Sequence, residues 1–343
     1  MVNPLKIFLS TLFTLFLLVS CHKSEEIGPQ YPSSDQKNEG ANGLWILNEG
    51  LFGWGNASVS FYDTEKKQMS NHVYQQKQET ALGDVLQSMF FKGNRRFLII
   101  NNSNQIKICD EEMNLLETIN GISSPRYMEE LNDSVFLISS LNAKKVYKYN
   151  TNSKQVSTFS HHQDWTEKIL RFDSELMIQQ KSYNNINPSD QKIYKYNFSG
   201  QILDSLIVNK PYSELIKINQ NQFGILSTNE SQSQLMIANK DMTSKSYAVS
   251  DSITQITSTN STVYLAGKHL WKFDLTSESF TKLHTLYKKN IYGLSCSEDG
   301  FIYLSDAKDY VSSGDFIIYS THTNSIIDSI PTSYIPSEIY FEN

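Results

Sequence analysis

The feature that most constrains the fold is a short apolar run that recurs seven times along the chain. Each run holds three or four mostly aliphatic or aromatic residues bounded by Asn, Asp, Ser or Gly. The runs begin at Leu44, Phe97, Val135, Leu176, Phe223, Val263 and Phe301, at intervals of 53, 38, 41, 47, 40 and 38 residues. A period near 40 residues, with four strands in each unit, is the signature of a β-propeller blade. The sequence therefore predicts an all-β protein, a seven-bladed β-propeller.

Each unit divides into four strands. In the third unit they are Tyr127 to Leu131, Val135 to Ser139, Lys145 to Tyr149 and Gln155 to Phe159. The third strand alternates between apolar and polar residues, as in Lys145-Val146-Tyr147-Lys148-Tyr149-Asn150. This period of two predicts that one side of the strand packs against a neighbouring blade while the other meets a more polar surface.

The ends of the chain complete the ring. No strand follows the last segment, Ser337 to Phe341, and none precedes the unit that starts at Leu44. We therefore expect one C-terminal strand and three N-terminal strands to share the closing blade, which removes the exposed edges of an open sheet. On this reading residues 43–343 form one domain.

The N-terminus reads as a signal peptide. Lys6 precedes an apolar stretch from Ile7 to Val19, which at 13 residues is shorter than the roughly 20 needed to span a bilayer. The ending Leu18-Val19-Ser20-Cys21 resembles the lipobox of bacterial lipoproteins. That resemblance implies removal of residues 1–20 and lipidation of Cys21. The alternative is an ordinary signal peptide with an incidental cysteine.

Residues 21–42 read as a flexible tether, because they hold few apolar side chains that could repay the entropy of ordering. The stretch Lys23-Ser24-Glu25-Glu26 resembles the acidic export signal of surface lipoproteins in the Bacteroidetes. This resemblance implies a protein that is lipid-anchored in the outer membrane and exposed at the cell surface.

Charge and cysteine content exclude two classes. A net charge of −6 argues against a non-specific nucleic-acid binder, which needs a basic surface. Three cysteines cannot form a disulfide framework for a chain of this length. Cys109 and Cys296 fall in blades that are not neighbours, so we expect both to be buried free thiols.

Three segments are more particular than a propeller requires. They are the Gly-rich turn from Asn48 to Ser58, the segment from Leu82 to Met89 together with Asn101-Asn102-Ser103, and Ser124-Pro125-Arg126-Tyr127. With them the chain resembles the surface lipoprotein propellers of Bacteroidetes, which are similar to the YncE-type seven-bladed propellers. The resemblance implies a protein that binds cobalamin outside the outer membrane and passes it to a TonB-dependent transporter. Cobalamin is then a bound ligand and not a catalytic cofactor.

The residues themselves leave alternatives open. Glycines in the first segment permit close approach of a ligand or merely finish a hairpin. Asp84 and Gln87 can face the central channel, or Asp84 can accept hydrogen bonds from amides of the neighbouring blade. The Arg126 guanidinium can grip a ligand oxygen or pair with a carboxylate in the next blade.

Aromatic residues recur where innermost strands are expected to begin, at Tyr127, Trp165, Tyr212, Tyr292 and Tyr334. Such side chains suit a bulky, partly apolar ligand such as a corrinoid, although packing between blades uses them equally. The predicted ligand-binding residues are Trp54, Asn56, Asp84, Gln87, Asn102, Arg126, Tyr127, Trp165, Tyr212 and Tyr292.

Signals for catalysis are weak. The histidines, including the His161-His162 pair in a predicted loop between blades, lack zinc-site spacing, and there is no Gly-x-Ser-x-Gly elbow. Asp306, Asp309 and Asp315 share a predicted loop that can hold calcium, but without EF-hand spacing. We therefore predict a binding protein and not an enzyme of the lactonase or quinoprotein type. The alternative is a module for protein or glycan contacts in a surface complex.

Overall fold

The computed structural model describes residues 43–182, 191–208, 212–228 and 232–342, and it describes Tyr212 and Ser213 by their backbone alone. The predicted signal peptide, Cys21 and the predicted tether lie outside the described residues.

The first eleven strands and one short helix, α1 (Val73–Gln78), occupy the N-terminal part of the ring. The strands are β1 (Gly43–Asn48), β2 (Ser58–Asp63), β3 (Gln68–Ser70), β4 (Leu86–Lys92), β5 (Arg95–Ile100), β6 (Gln105–Cys109), β7 (Leu115–Ile119), β8 (Pro125–Asn132), β9 (Val135–Ser140), β10 (Lys145–Asn150) and β11 (Gln155–His161).

The remaining seventeen strands complete the ring. They are β12 (Thr166–Arg171), β13 (Glu175–Gln180), β14 (Lys192–Asn197), β15 (Ile202–Ile207), β16 (Tyr212–Lys217), β17 (Gln222–Thr228), β18 (Ser233–Asn239), β19 (Ser244–Val249), β20 (Gln255–Ser258), β21 (Thr262–Ala266), β22 (His269–Asp274), β23 (Ser279–Thr285), β24 (Ile291–Cys296), β25 (Phe301–Asp306), β26 (Ser313–Ser320), β27 (Ser325–Tyr334) and β28 (Pro336–Phe341).

These strands form seven four-stranded antiparallel sheets, the blades. Blades 2 to 7 are built from consecutive strands, β4–β7 through β24–β27, and blade 1 has the order β28-β1-β2-β3. The first strand of each blade contacts its counterparts in the neighbouring blades, as β8 contacts β4 and β12, so these strands surround a central channel. The predicted seven-bladed β-propeller with a shared closing blade is confirmed.

Ring closure is a direct pairing of the two ends of the domain. Leu44 pairs with Phe341, Trp45 with Tyr340 and Ile46 with Ile339 in antiparallel register. The closing strand begins at Pro336, one residue before the predicted start. Its hydrogen bonds to β1 remove the edge that β1 would otherwise expose.

The recurring apolar run is the second strand of every blade. These strands are flanked by another strand at each edge and covered by a neighbouring blade on each face, and all six residues of β1 are buried. The outermost strands contrast with them, since β15 is largely exposed. The runs are conspicuous in the sequence because this position tolerates polar side chains poorly.

The core is divided among the blade interfaces. Seven clusters of buried apolar side chains each lie between two adjacent blades. Between blades 2 and 3, for example, the Phe97 and Phe136 rings lie 5.4 Å apart. Cys109 is buried in β6 and free, as predicted, whereas Cys296 in β24 is free but only half-buried. Cys296 is the last residue of β24 and packs at the margin of the apolar cluster between blades 6 and 7.

Strand direction gives the ring two faces. We call the face at which the innermost strands begin the front face. In an antiparallel blade, the loop between the second and third strands returns to this face. The opposite face, where Gly43 begins β1, is the back face. Within the described ranges, no helix has the length and apolar character needed to cross a membrane.

A buried ion pair reinforces closure on the back face. The Glu342 carboxylate, just after β28, accepts hydrogen bonds from the Trp45 indole and the Arg96 guanidinium. Arg96 belongs to blade 2 and is 2% exposed, while Glu342 is 16% exposed. Glu342, which directly follows the strand that completes blade 1, therefore joins blade 1 to blade 2.

We predict that Glu342→Ala destabilises the fold by about 3–5 kcal/mol, because it leaves the buried Arg96 charge unpaired. The control is Glu111→Ala, since Glu111 lies 4.0 Å from Arg96 but is 59% exposed; its loss should cost less than about 1 kcal/mol. Urea denaturation monitored by fluorescence measures the free energy of unfolding of both variants. Equal effects of the two substitutions would show that Glu342 does not stabilise ring closure.

Candidate functional site

A cavity of about 380 Å³ opens at the front mouth of the channel. All seven innermost strands contribute to its wall near their first residues, which places it at the front face. Its polar and aromatic lining comprises Glu49, Gln87, Arg126, Tyr127, Glu167, Lys181, Glu214, Thr228, Thr254, Gln255, Tyr292, Tyr310, Ser337 and Glu338.

An arginine–carboxylate pair crosses one wall of this cavity. Arg126 Nε in β8 donates to Glu167 Oε2 in β12 at 2.9 Å, and Arg126 Nη2 donates to Glu167 Oε1. A third donor of Arg126 reaches Gln87 Oε1 in β4. The planar guanidinium fork matches a carboxylate geometrically, so this contact ties three adjacent innermost strands together.

A second pair continues the network to the closing strand. Lys168 Nζ donates to Glu338 Oε1 at 2.7 Å, and Tyr127 OH donates to the same oxygen at 3.0 Å. The Lys168 ammonium also lies 4.0 Å from the centre of the Tyr127 ring, a favourable cation–π contact. Gln87 Nε2 donates to Tyr127 OH at 3.3 Å and joins the two pairs.

The carboxyl groups of the cavity differ in their electrostatics. Burial tends to raise the pKa of Glu167, but the charges of Arg126 and Lys181 hold it below its usual value. Burial raises the pKa of Glu49 to about 7, opposed by Arg126 and the Tyr292 hydroxyl. It likewise raises the pKa of Glu214 to about 7, opposed by Lys168 and Lys181. Two carboxyl groups thus titrate near neutral pH.

Exposed aromatic and aliphatic side chains border one side of the mouth. We call this border the aromatic rim; its members are Phe52, Trp54, Tyr287, Tyr310 and Val311, exposed by 77%, 75%, 75%, 43% and 63%. They lie on the β1–β2, β23–β24 and β25–β26 connections of the front face. The other strongly exposed large apolar side chains of the described ranges lie on the outermost strands β7, β15 and β27.

The loops of the rim are joined to each other and to the cavity. Ala307 N donates to Asn290 O at 2.9 Å, linking two of the three loops. The Tyr292 ring packs edge-on against Tyr310 at 5.6 Å, and Tyr292 OH donates to Glu49 Oε2 at 3.4 Å. The aromatic rim therefore meets the wall of the cavity at Tyr310.

The β1–β2 loop is held in place by hydrogen bonds. Asp84 Oδ2 accepts from Gly53 N at 2.9 Å and from Asn102 Nδ2. Asn56 Oδ1 accepts from Leu51 N at 2.8 Å. Gly50 has φ +80°, and a side chain there would meet Ala57 N at 2.6 Å, so this turn requires glycine. The loop presents Phe52 and Trp54 to solvent on a fixed backbone.

The predicted site residues fall into three groups. Gln87, Arg126, Tyr127 and Tyr292 line the cavity. Trp54 belongs to the aromatic rim. Asn56, Asp84 and Asn102 hold the loop behind it, and Trp165 directly precedes β12 at the front face. Tyr212 begins β16, but its side chain lies outside the described residues. For Asp84 and Arg126 the structural alternative is the one observed. Asp84 accepts a hydrogen bond from a backbone amide of the neighbouring blade, and Arg126 pairs with a carboxylate of the next blade.

Sequence reasoning missed most of the charged lining, namely Glu49, Glu167, Lys181, Glu214 and Glu338, and also Lys168, which pairs with Glu338. A usable signal was present. The second or third residue of nearly every innermost strand is polar or charged, as at Glu167, Glu214 and Glu338. Without strand boundaries these residues look like ordinary surface positions.

Two of the acidic residues considered for a calcium site, Asp306 and Asp315, have structural partners. Asp306 Oδ1 accepts from Asn290 N and Lys308 N, and Asp315 pairs with Lys308 at 2.8 Å. In residues 43–342, gaps excepted, no three His, Cys, Asp or Glu side chains are grouped to hold a metal ion. The expected loop position of His161-His162 is wrong for His161, which ends β11, whereas His162 follows the strand.

We predict that Glu49→Gln changes how stability depends on pH. Glu49 is ionised above about pH 4.5 in the unfolded chain but only above about pH 7 in the native state. Between these pH values ionisation favours the unfolded chain, so the free energy of unfolding of the wild type falls as pH rises. The free energy of unfolding of the variant, relative to that of the wild type, should therefore increase by about 1–3 kcal/mol between pH 5 and pH 8. Urea denaturation at both pH values measures this gain. A difference between the two proteins that does not change with pH would contradict the assignment.

Solved propellers resemble this chain in fold. A quinonprotein alcohol dehydrogenase-like protein from Bacteroides thetaiotaomicron superposes with a TM-score of 0.64 at 12% identity, over 89% of this chain and 80% of that one. Apo AztD from Citrobacter koseri superposes with a TM-score of 0.56 at 9% identity, over 87% of this chain and 97% of that one. Virginiamycin B lyase from Staphylococcus aureus superposes with a TM-score of 0.59 at 9% identity, over 74% of this chain and 88% of that one. At such identities the likeness concerns the fold alone.

No curated protein sequence matches this chain significantly. A family model does match, over residues 42–296. The match covers most of the propeller, from the start of β1 to the end of β24. The chain therefore belongs to the family described as Domain of unknown function (DUF5074).

Proposed function

We propose that this protein is a surface lipoprotein that binds a nutrient ligand of the corrinoid class at the front mouth of its channel. The observation that carries the proposal is the asymmetry of the mouth. An exposed aromatic rim from blades 1 and 7 adjoins a charged cavity whose pairs come mainly from blades 2 to 4. Such a mouth suits a ligand with a broad apolar body and a polar margin.

The size of the cavity determines how such a ligand lies. About 380 Å³ is at the small end of the roughly 300–1,000 Å³ typical of ligand pockets. A corrinoid ring is too large to enter, so the ring rests on Trp54, Phe52 and Tyr310 while its side-chain amides reach into the cavity. The amides can then meet Gln87, Gln255 and the other polar groups of the wall.

The fixed backbone of the rim supports a binding role. The exposed Phe and Trp side chains have most of their apolar surface in water. A flat ligand that covers them removes this surface from water without breaking any contact within the protein, which favours binding. Because the β1–β2 loop is already held by Asp84 and Asn56, ordering it on binding costs little.

The proposal includes delivery to a TonB-dependent transporter, as the resemblance of the sequence implies. Gly43, the first residue of β1, lies on the back face, and the mouth lies on the front face.

Binding of cyanocobalamin tests the ligand. We expect micromolar or tighter binding by calorimetry, and at least tenfold weaker binding by Phe52→Ala/Trp54→Ala, about 1.4 kcal/mol. The matched control is Leu116→Ala/Ile327→Ala, which removes side chains 54% and 51% exposed on outermost strands. This control should bind as the wild type does, and melting temperatures should show that both variants fold.

Two results would contradict the ligand assignment. The first is no binding by the wild-type protein, which would favour a module for protein or glycan contacts. The second is equal affinity of the rim variant and its control, which would place the ligand elsewhere.

The lipid anchor is tested separately. We expect Cys21→Ser to abolish lipidation, so that the protein stays uncleaved or leaves the membrane fraction. Fractionation of cells with detection of the propeller measures this. Membrane retention of a normally processed variant would refute the lipoprotein assignment.

A further inference from the structure

The charged groups of the cavity are not all paired. Arg126 is bound to Glu167, and Lys168 is bound to Glu338 at 2.7 Å. Lys181 lies 3.9 Å from Glu167 as well. Each basic side chain of the described cavity and its wall is therefore already beside a carboxylate.

Two carboxyl groups remain. Glu49 receives one long hydrogen bond, from Tyr292 OH at 3.4 Å, and has no basic group within 4.0 Å among the described residues. Glu214 in β16 has neither a hydrogen bond to its carboxyl group nor an ion pair in the described part of the chain. Both line the cavity and both are largely shielded from solvent.

This arrangement has a chemical consequence. A buried carboxylate is costly unless N–H or O–H donors satisfy its oxygens. A ligand carboxylate or phosphate would find no uncommitted basic group here and would be repelled by Glu49 and Glu214. A ligand N–H would be attracted by both.

We infer that the cavity selects a ligand group that donates N–H, an amide or an amine, and that Glu49 and Glu214 are the residues that recognise it. The inference rests on the proposed function in placing the ligand at the front mouth. It adds the chemistry of the group that enters the cavity and names a class that the site rejects, namely anionic side groups.

The groups that face Glu49 come from several elements: Arg126 in β8, Glu167 in β12, Tyr292 in β24 and Glu338 in β28. Because pKa values near 7 leave both carboxyl groups partly protonated at neutral pH, the test is made at pH 8, where their acceptor form dominates.

The first arm compares cyanocobalamin with its monocarboxylic acids, in each of which one side-chain amide is replaced by a carboxylate. We expect at least one isomer to bind the wild-type protein at least tenfold more weakly than cyanocobalamin. Glu49→Gln or Glu214→Gln should reduce that difference to less than threefold, because glutamine offers an N–H to the carboxylate. If every isomer binds the wild-type protein as cyanocobalamin does, the inference is overturned while the proposed function stands.

The second arm does not depend on a corrinoid. It follows the thermal shift of the protein with 2-phenylethylamine and with 3-phenylpropanoate, which carry an aromatic ring with opposite charge. We expect stabilisation by the amine alone, and its loss in Glu49→Gln. Stabilisation by the amine without any cyanocobalamin binding would reject the corrinoid but support the inference. Stabilisation by the carboxylate, or by neither compound, would overturn it.

Glu129→Gln is the matched control for both arms. Burial also raises the pKa of Glu129 to about 7, but Glu129 lines a separate cleft near the far end of β8, with Arg171 and Lys217. This variant should keep the wild-type preference. If it alters the preference as much as Glu49→Gln does, the effect is one of general charge and the assignment of Glu49 is wrong.

Discussion

The pairing of β28 with β1 is the contact on which the rest of the molecule depends. It joins residues separated by almost the whole domain, and every blade interface needs both neighbouring blades in place. The pairing also assembles the site. It places Glu338 of the closing strand beside Lys168 and Tyr127, and it fixes Glu49, whose amide donates to Ile335 O at 3.0 Å. An open ring would keep its blades but lose this arrangement of charges.

The mouth combines two kinds of surface that serve different purposes. The Arg126–Glu167 and Lys168–Glu338 pairs cross between innermost strands and satisfy one another, so they stabilise the channel wall more than they attract a ligand. Under the proposed function, the groups available to a ligand are the aromatic rim and the carboxyl groups of Glu49 and Glu214. This division explains why the most basic-looking feature of the site, Arg126, is a poor candidate for gripping an anion.

The sequence predicted the architecture well because blade structure is a local and repeated property. Second strands such as β5 are buried on every side, so their apolar runs are visible without knowledge of the fold. The site was predicted only in part. Gln87, Arg126, Tyr127 and Tyr292 were found, because motifs or aromatic residues marked the starts of their strands. Glu214 and Glu338 were missed, because a glutamate carries no local sign that it faces a channel. The ion pairs of the site form between blades. Their partners lie about 40 or 170 positions apart in the sequence, so a local pattern does not show which carboxylate pairs with which basic side chain.

We propose that ligand binds across the front mouth of the channel, on the aromatic rim and above the charged cavity. Hydrogen–deuterium exchange of the purified protein with and without saturating cyanocobalamin tests it most directly. We expect slower exchange in the β1–β2 loop, at the start of β8 and in the β25–β26 loop, with no change in the outermost strand β15. Protection confined to outer strands or to the back face, or no protection anywhere, would contradict it.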